Sequence, residues 1–190
     1  MASLLIKEVL LVNEGRTCEC DVLIRNGRIQ QLASNINATK SDQVIEGNGR
    51  YLLPGMIDDQ VHFREPGLTH KGDIATESAA AAAGGITSFM DMPNVVPKTT
   101  SRELLAERYA LAEGRARGNY AFYLGATNAN IDQVRALATS EACGVKVFMG
   151  ASTGEMLVDD EQALNAIFAE SPLLIATHCE DTPTIKAHEE

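Results

Sequence analysis

The sequence predicts an α/β protein built on a parallel barrel and preceded by a small β unit. From Gly55 onward, short apolar strands alternate with helical segments, a pattern typical of parallel sheets. No strand is followed by the G-x-G-x-x-G or G-K-[ST] loop of nucleotide-binding folds, which favours a barrel over a doubly wound sheet. The first 53 residues instead consist of short β-type runs separated by turn signals such as Asn-Gly.

These patterns divide the chain into two segments. Residues 1–53 are predicted to form a small antiparallel β unit, and residues 54–190 to form the N-terminal part of a barrel, with strands 1–5 only. A complete (β/α)8 barrel takes about 250 residues, so the second segment accounts for half to two-thirds of one. The sequence also stops within a charged helical stretch, KAHEE. We therefore expect the chain to be a fragment of a longer protein.

The barrel elements are predicted from apolar runs, caps and turn residues. The predicted strands are 55–62, ITSFMDM (86–92), NYAFYLGAT (119–127), GVKVFMG (144–150) and PLLIATH (172–178). The predicted helices cover about 74–83, 101–117, 131–139, 159–170 and a segment beginning in DTPTIKAHEE. Gly84-Gly85 is a C-cap signal for the first helix, and Ser101 is an N-cap for the second. The stretch MGASTG, 149–154, lacks the lysine of a phosphate loop and is interpreted as an ordinary loop.

Composition excludes several classes of function. The chain has 190 residues, is 45% hydrophobic and carries a net charge of −10, which is typical of a soluble globular protein. An acidic chain without a basic stripe is not expected to bind nucleic acid. No run of about 18 apolar residues or signal-peptide layout is found, so no membrane association is expected. The four scattered cysteines favour reduced thiols and a cytoplasmic location.

Polar residues cluster at the predicted carboxyl ends of the strands, where parallel barrels place their active sites. His62 closes strand 1, His178 closes strand 5, and Lys146 lies within strand 4. Further polar residues near these ends are Arg64, Glu65, Asp91, Asn94, Thr127, Asn128, Glu180 and Asp181. Each has a structural alternative: Arg64 and Glu65, for example, can form a solvated pair. Together they indicate a site.

Strand 1 raises a particular question. Strict alternation places Asp58, Gln60 and His62 on one face and Ile57 and Val61 on the other. A carboxylate and an imidazole on one face at a strand end suggest a site, in which a glutamine is unexpected.

Lys146 is the most informative of the strand-end residues. Because its neighbours Val145, Val147 and Phe148 are apolar, burying a charged lysine here is costly. A lowered pKa and reaction with carbon dioxide would yield an anionic carbamate whose two oxygens can bridge two cations. Histidine nitrogens would complete such a site for zinc or a similar divalent metal. Cys179 directly follows the strand-5 histidine, so alternation points it to the opposite face and makes it a poor candidate ligand.

Four motifs carry a family resemblance: PGMIDDQVHFREPG, DMPN, GVKVFM and ATHCED. With them the chain resembles the amidohydrolase superfamily and, within it, the dihydroorotases, over essentially its whole length. The resemblance implies a metal-dependent TIM barrel flanked by a β-sandwich made from both chain termini. It assigns His62 and His178 as metal ligands and Lys146 as the carboxylated, bridging and catalytic lysine. It assigns Arg64 and Asn94 to the substrate carboxylate, for which a guanidinium is well shaped.

The implied reaction is the reversible hydrolysis of the cyclic amide of dihydroorotate to carbamoyl aspartate, in pyrimidine biosynthesis. Metal would activate the attacking water. A strand-6 histidine ligand and a strand-8 aspartate that shuttles the proton would lie beyond residue 190. The expected partners are small-molecule substrates and, at full length, a second copy in a homodimer.

Gln60 departs from the family pattern, because it occupies the first histidine position of the strand-1 H-x-H motif. A neutral amide oxygen is a weaker zinc ligand than imidazole, so we expect one tightly held zinc, with Gln60 a weak ligand or a partner of bound water.

Two alternatives remain open. One is a related hydantoinase or allantoinase, against which Arg64 argues because those substrates lack the carboxylate that it would bind. The other is an inactive dihydroorotase-like scaffold for another pyrimidine enzyme. Gln60 favours the scaffold, whereas the presence of Lys146, His178, Arg64 and Asn94 opposes it.

Overall fold

The computed structural model describes residues 3–150 and 156–189. The chain divides into two compact units, Met1–Gly55 and Met56–Glu190. Most of the predicted loop MGASTG lies outside the described residues, since 151–155 are not among them.

The first unit is a β-sheet. Its strands are β1 (Ser3–Asn13), β2 (Arg16–Arg25), β3 (Arg28–Ala33), β4 (Gln43–Glu46) and β5 (Tyr51–Leu52). β1, β2 and β3 form an antiparallel meander. Its two hairpins turn at Glu14-Gly15 and Asn26-Gly27, where all four residues have positive φ. Such two-residue turns match the right-handed twist of the flanking strands.

The prediction of a purely antiparallel first unit is wrong for β4 and β5. Both strands pair with β1 in parallel. The connection after β3, which includes a short 3-10 helix over Ala38–Lys40, returns the chain so that it re-enters the sheet in the direction of β1. The described strands form one hydrogen-bonded sheet, in the order β3-β2-β1-β4 with β5 also on β1. They do not by themselves form the two sheets of a sandwich.

The second unit is a curled, wholly parallel sheet covered by helices. Its strands are β6 (Met56–Val61), β7 (Ile86–Asp91), β8 (Asn119–Gly125), β9 (Gly144–Phe148) and β10 (Ile175–His178). Its helices are α1 (Ile74–Ala83), α2 (Arg102–Ala112), α3 (Ile131–Arg135), α4 (Glu161–Glu170) and α5 (Thr182–His188). The strands are ordered β10-β9-β8-β7-β6, with no reversal. A doubly wound sheet requires a reversal, so the barrel prediction is confirmed.

Local caps set the helix limits. Asp73 accepts a hydrogen bond from the Thr76 backbone N–H at the start of α1, and the helix ends at Gly84. Ser101 caps α2 in the same way. α2 stops at Ala112, short of the predicted 117, because the next residues leave the helical conformation and Gly114 has φ +70°.

One face of the sheet packs against the helices and forms the core. The core residues are buried and apolar. They include Phe89, Phe122, Leu124, Val145 and Val147 from the strands and Leu105, Ala112 and Ile167 from the helices. Because side chains alternate along β9, Lys146 and Phe148 lie on the other, concave face. No helix in the described ranges combines the length and apolar character needed to cross a membrane.

Candidate active site

The loops that follow β6 and β7 carry Arg64 and Asn94, and they are tied together. The backbone N–H of Val96 donates to the carbonyl oxygen of Pro66 at 3.1 Å. Gly67, at φ +79°, makes this approach possible, since a Cβ there would lie 2.2 Å from the Val96 carbonyl oxygen. The two predicted carboxylate-binding residues are therefore carried by neighbouring loops in direct contact.

His62 directly follows β6 and is hydrogen-bonded to Asn94. Its Nδ1 lies 2.9 Å from the Asn94 side-chain oxygen. That oxygen can only accept, so Nδ1 donates and Nε2 carries the lone pair of the neutral ring. Burial lowers the pKa of His62, and the positive charges of Arg64 and Lys146 lower it further, whereas the hydrogen bond that His62 donates to Asn94 raises it.

Arg64 is held in an unusual backbone conformation and its guanidinium has no partner among the described residues. Its φ is +68°, in the left-handed region. Its neighbour Glu65 is buried, binds Arg115 with both carboxylate oxygens at 2.8 and 3.1 Å, and accepts from the Ile74 backbone N–H at 2.9 Å. The alternative in which Arg64 and Glu65 form a solvated ion pair is therefore wrong. Glu65 instead anchors the loop, and the guanidinium of Arg64 remains available to bind a ligand.

Lys146 is a buried cation without a described anionic partner. Its side chain is on β9, where every residue is buried, and the residue is only 3% exposed. No described carboxylate forms an ion pair with it, and its Nζ lies 4.9 Å from the centroid of the Phe148 ring. Burial lowers the pKa of Lys146. Such an environment disfavours the charged form of the lysine.

His178 is the last residue of β10 and pairs in register with Phe148. The two rings are stacked, with their centroids 6.2 Å apart. Phe148 thus adjoins both Lys146 and His178 on the concave face. The Nε2 of His178 lies 2.8 Å from a carboxylate oxygen of Glu180. Because a carboxylate accepts, Nε2 donates in the neutral ring and Nδ1 is left with the lone pair.

The side chain of Cys179 contacts that of Thr177, two residues earlier, which is consistent with alternation along the chain. Its thiol lies 3.0 Å from the Thr177 hydroxyl, and Thr177 and Cys179 share a face of the chain. The Cys179 thiol nonetheless acts on Lys146, opposing the lowering of its pKa by burial.

The predicted strand 1, which is β6 in the structure, alternates less regularly than predicted. The register between β6 and β7 shifts between Asp58 and Val61, so β6 has one residue more than its partner over this stretch. Ile57 pairs with Ser88 and Val61 with Asp91, three positions apart on β7, so the expected common face of Ile57 and Val61 is wrong. Gln60 is exposed, and its backbone N–H donates to the Asp58 carboxylate at 3.1 Å.

Asp91, one of the predicted strand-end groups, belongs to the opposite face. It forms a fully buried ion pair with Arg108 of α2 at 2.5 Å, and its second oxygen accepts from the Phe63 backbone N–H. Burial raises the pKa of Asp91 to about 6, against the charge of Arg108. The pair ties α2 to the end of β7 and is not part of the concave face.

Within the described ranges, no three His, Cys, Asp or Glu side chains form a group able to hold a metal ion. The predicted ligand set does not depend on such a group, because it combines two histidines with Lys146 and Gln60. Its chemistry fits a divalent cation. His62 and His178 each retain one ring nitrogen without a described partner. Reaction of the deprotonated Lys146 amine with carbon dioxide, with release of one proton, would give a carbamate with two oxygen donors.

Two contacts at the site were not predicted from the sequence. One is the hydrogen bond between Asn94 and His62, which depends on the conformation of the loop after β7. The other is the contact of Glu180 with His178, for which the i, i+2 spacing was an available signal.

Known proteins similar to this chain match nearly all of it. The model of the dihydro-orotase-like family matches residues 49–164. A dihydroorotase of Methanosarcina acetivorans is 34% identical over 95% of the chain and 39% of its own length. An allantoinase of Deinococcus radiodurans is 35% identical over 93% of the chain and 40% of its own length. The structure of an L-hydantoinase from Arthrobacter aurescens superposes with a TM-score of 0.90 at 28% identity, over 98% of the chain and 43% of that protein. The chain thus spans about two-fifths of the length of these relatives.

Proposed function

Since the chain belongs to the dihydro-orotase-like family of cyclic amidohydrolases, we propose that it is part of a dihydroorotase. The reaction would be the reversible hydrolysis of dihydroorotate to carbamoyl aspartate. The observation that carries this proposal is the unpartnered guanidinium of Arg64, two residues after His62, on a loop that is hydrogen-bonded to the loop carrying Asn94. Dihydroorotate has a carboxylate next to its cyclic amide, so a guanidinium near a metal-binding histidine suits that substrate.

We propose that His62, His178 and a carboxylated Lys146 hold a divalent metal such as zinc. A bound zinc would supply Lewis acidity and lower the pKa of a coordinated water. Gln60 would contribute a weak amide ligand or hold water.

This chain's own residues would bind and orient the substrate. Arg64 would take the carboxylate through two parallel N–H donors, and the side-chain NH2 of Asn94 would add a third. Glu65 holds the intervening loop through Arg115, so the guanidinium is presented from a fixed backbone. Fixing the carboxylate would align the ring amide with the histidine and lysine side chains, which is a positioning effect.

An allantoinase or hydantoinase is the second candidate. It is favoured by the 35% identity with the Deinococcus radiodurans allantoinase and by the TM-score of 0.90 with the L-hydantoinase. An inactive scaffold is the third, favoured by Gln60. We further propose that the full-length protein is a cytoplasmic homodimer, which light scattering and cell fractionation would test.

The deciding experiment is a substrate panel with the full-length protein, because this chain spans only about two-fifths of the length of its relatives. The protein is supplied with zinc and assayed on dihydroorotate, carbamoyl aspartate, allantoin and hydantoin. We expect turnover of the first two at least about a hundredfold more efficiently than of the others. Preference for allantoin or hydantoin would support the second candidate, and no turnover of any would support the scaffold.

A further inference from the structure

We infer that Asn94 is a positioning residue for His62 as well as a substrate contact, with the two ends of its amide divided between these roles. The oxygen end accepts the Nδ1 proton of His62. The NH2 end makes no hydrogen bond with a described residue. The substrate half of this inference rests on the proposed function, whereas the histidine half does not.

The chemistry of the amide fixes the tautomer. An amide oxygen has no proton to give, so the neutral His62 ring must carry its hydrogen on Nδ1 and its lone pair on Nε2. Neutral histidine in water favours the other tautomer, so the contact selects a form that the free side chain populates less. Histidines that bind metals commonly donate their second ring N–H to such an acceptor, which fixes ring orientation and raises ligand basicity.

The loop that carries Asn94 is well braced, which makes this contact a fixed feature of the site. Within the loop, the backbone N–H groups of Val95 and Thr99 both donate to the Pro93 carbonyl oxygen, at 2.9 and 3.0 Å. The Val96 N–H binds the loop after β6. Backbone hydrogen bonds therefore fix the residues on both sides of Asn94. One of these bonds joins its loop to the loop that follows His62.

The free NH2 end gives the second role. Two N–H donors on Asn94 remain for an anionic ligand, and the loop that carries Asn94 is hydrogen-bonded to the loop that carries Arg64, through the Val96 N–H and the Pro66 carbonyl oxygen. A carboxylate bound to these donors would share one amide with His62. Asn94 would then couple the position of the substrate to the orientation of the histidine.

Two substitutions separate the roles. Asn94→Asp keeps an acceptor for Nδ1–H but loses both donors and adds a negative charge. Asn94→Ala loses the acceptor and the donors. Asn128→Ala is the matched control, because Asn128 lies at the end of the next strand and binds Asp159 instead of a histidine.

The first readout is the protonation of each His62 nitrogen, measured by 15N NMR of the metal-free full-length protein near pH 8.5, about two units above the ordinary histidine pKa. We expect Nδ1–H in the parent, in Asn94→Asp and in Asn128→Ala, and a mixture of tautomers in Asn94→Ala. The second readout is zinc affinity by chelator competition. We expect a loss of about 10–100-fold in Asn94→Ala and less than about threefold in Asn94→Asp.

The third readout is KM for dihydroorotate, expected to rise at least about tenfold in both Asn94 variants. A pure Nδ1–H tautomer together with unchanged zinc affinity in Asn94→Ala, with circular dichroism showing a folded protein, would overturn the positioning role. Unchanged KM in Asn94→Asp would overturn the substrate role. If the protein does not act on dihydroorotate at all, the proposed function fails, while the NMR and zinc measurements still decide the positioning role.

Discussion

The ammonium nitrogen of Lys146 lies 4.9 Å from the centroid of the Phe148 ring, on a strand whose residues are all buried. A desolvated cation–π contact contributes about 2 kcal/mol. Taking an ammonium out of water costs several kcal/mol. The ring therefore offsets only part of the cost, which leaves a chemical reason for this lysine to be modified or neutral.

Replacing Lys146 should remove metal and activity together. In the full-length protein, Lys146→Ala is expected to lose most bound zinc and at least about a hundredfold in kcat, because the carbamate oxygens proposed to bind the metal would be absent. Short carboxylic acids should restore part of both, since they supply oxygen ligands. Lys71→Ala, an exposed lysine, is the control. Full zinc content in Lys146→Ala, measured by elemental analysis, would show that the lysine is not a ligand.

Substituting Arg64 tests the carboxylate clamp. Arg64→Lys keeps the charge and loses the two-pronged geometry, so kcat/KM for dihydroorotate should fall at least about tenfold, or about 1.4 kcal/mol. Any residual turnover of hydantoin, which lacks the carboxylate, should be unaffected. Arg117→Lys, an exposed change in the same unit, should be neutral. Equal losses on both substrates would mean that Arg64 does not recognise the carboxylate.

Gln60 is expected to limit metal content. After dialysis, the full-length protein should hold nearer one equivalent of zinc than two, because an amide oxygen is a weak ligand. Gln60→His should raise that number, and Gln30→His, on exposed β3, should not. Two tightly bound equivalents in the unmodified protein would contradict this account of the glutamine.

The buried pair of Asp91 and Arg108 should matter for stability. Arg108→Met leaves an uncompensated buried carboxylate and is expected to lower the free energy of unfolding by about 3–5 kcal/mol near pH 7. Arg102→Met, on the same helix, breaks the exposed pair with Glu141 and should cost less than about 1 kcal/mol. Urea denaturation of the full-length proteins provides the measurement.

The same variant should depend on pH in a defined direction. The pKa of Asp91 is already raised to about 6 by burial, and removing Arg108 removes the charge that opposes this rise. A carboxyl whose folded pKa lies above its unfolded value stabilises the fold at low pH and loses that contribution as pH rises through the folded pKa. The deficit of Arg108→Met relative to the parent should therefore shrink between about pH 7 and pH 5. A deficit that grows over this range would place the cause elsewhere.

Features set by neighbouring residues were predictable from the sequence. The first barrel helix was predicted over 74–83 and is found at Ile74–Ala83, because its limits depend on Asp73 and Gly84 beside it. The strand order was predictable from alternation of strands and helices. Parallel pairing of β4 and β5 was not, because pairing between distant strands depends on the path of the connection.

The site was predictable in part for the same reason. Alternation along β9 is regular, so the placement of Lys146 on the face opposite Val145 follows from the pattern. No sequence pattern indicates the extra residue in β6. Because of it, the prediction that Ile57 and Val61 share a face was wrong. The exclusion of Asp91 from the site had a usable signal. Arg108 is spaced three and four residues from the buried Leu105 and Ala112, on the apolar face of its helix.

Because the backbone at Arg64 is left-handed, selection for stability and selection for substrate binding favour different residues at this position. A side-chain-bearing residue at φ +68° weakens the fold by about 1 kcal/mol relative to glycine, so drift toward glycine would improve folding while abolishing any clamp. Lineages that still turn over an anionic substrate should keep the arginine despite this disadvantage. Lineages that have become inactive partners of other enzymes are released from that demand and should accumulate glycine or asparagine here. The residue found at this position in close homologues would therefore distinguish an active enzyme from an inactive one.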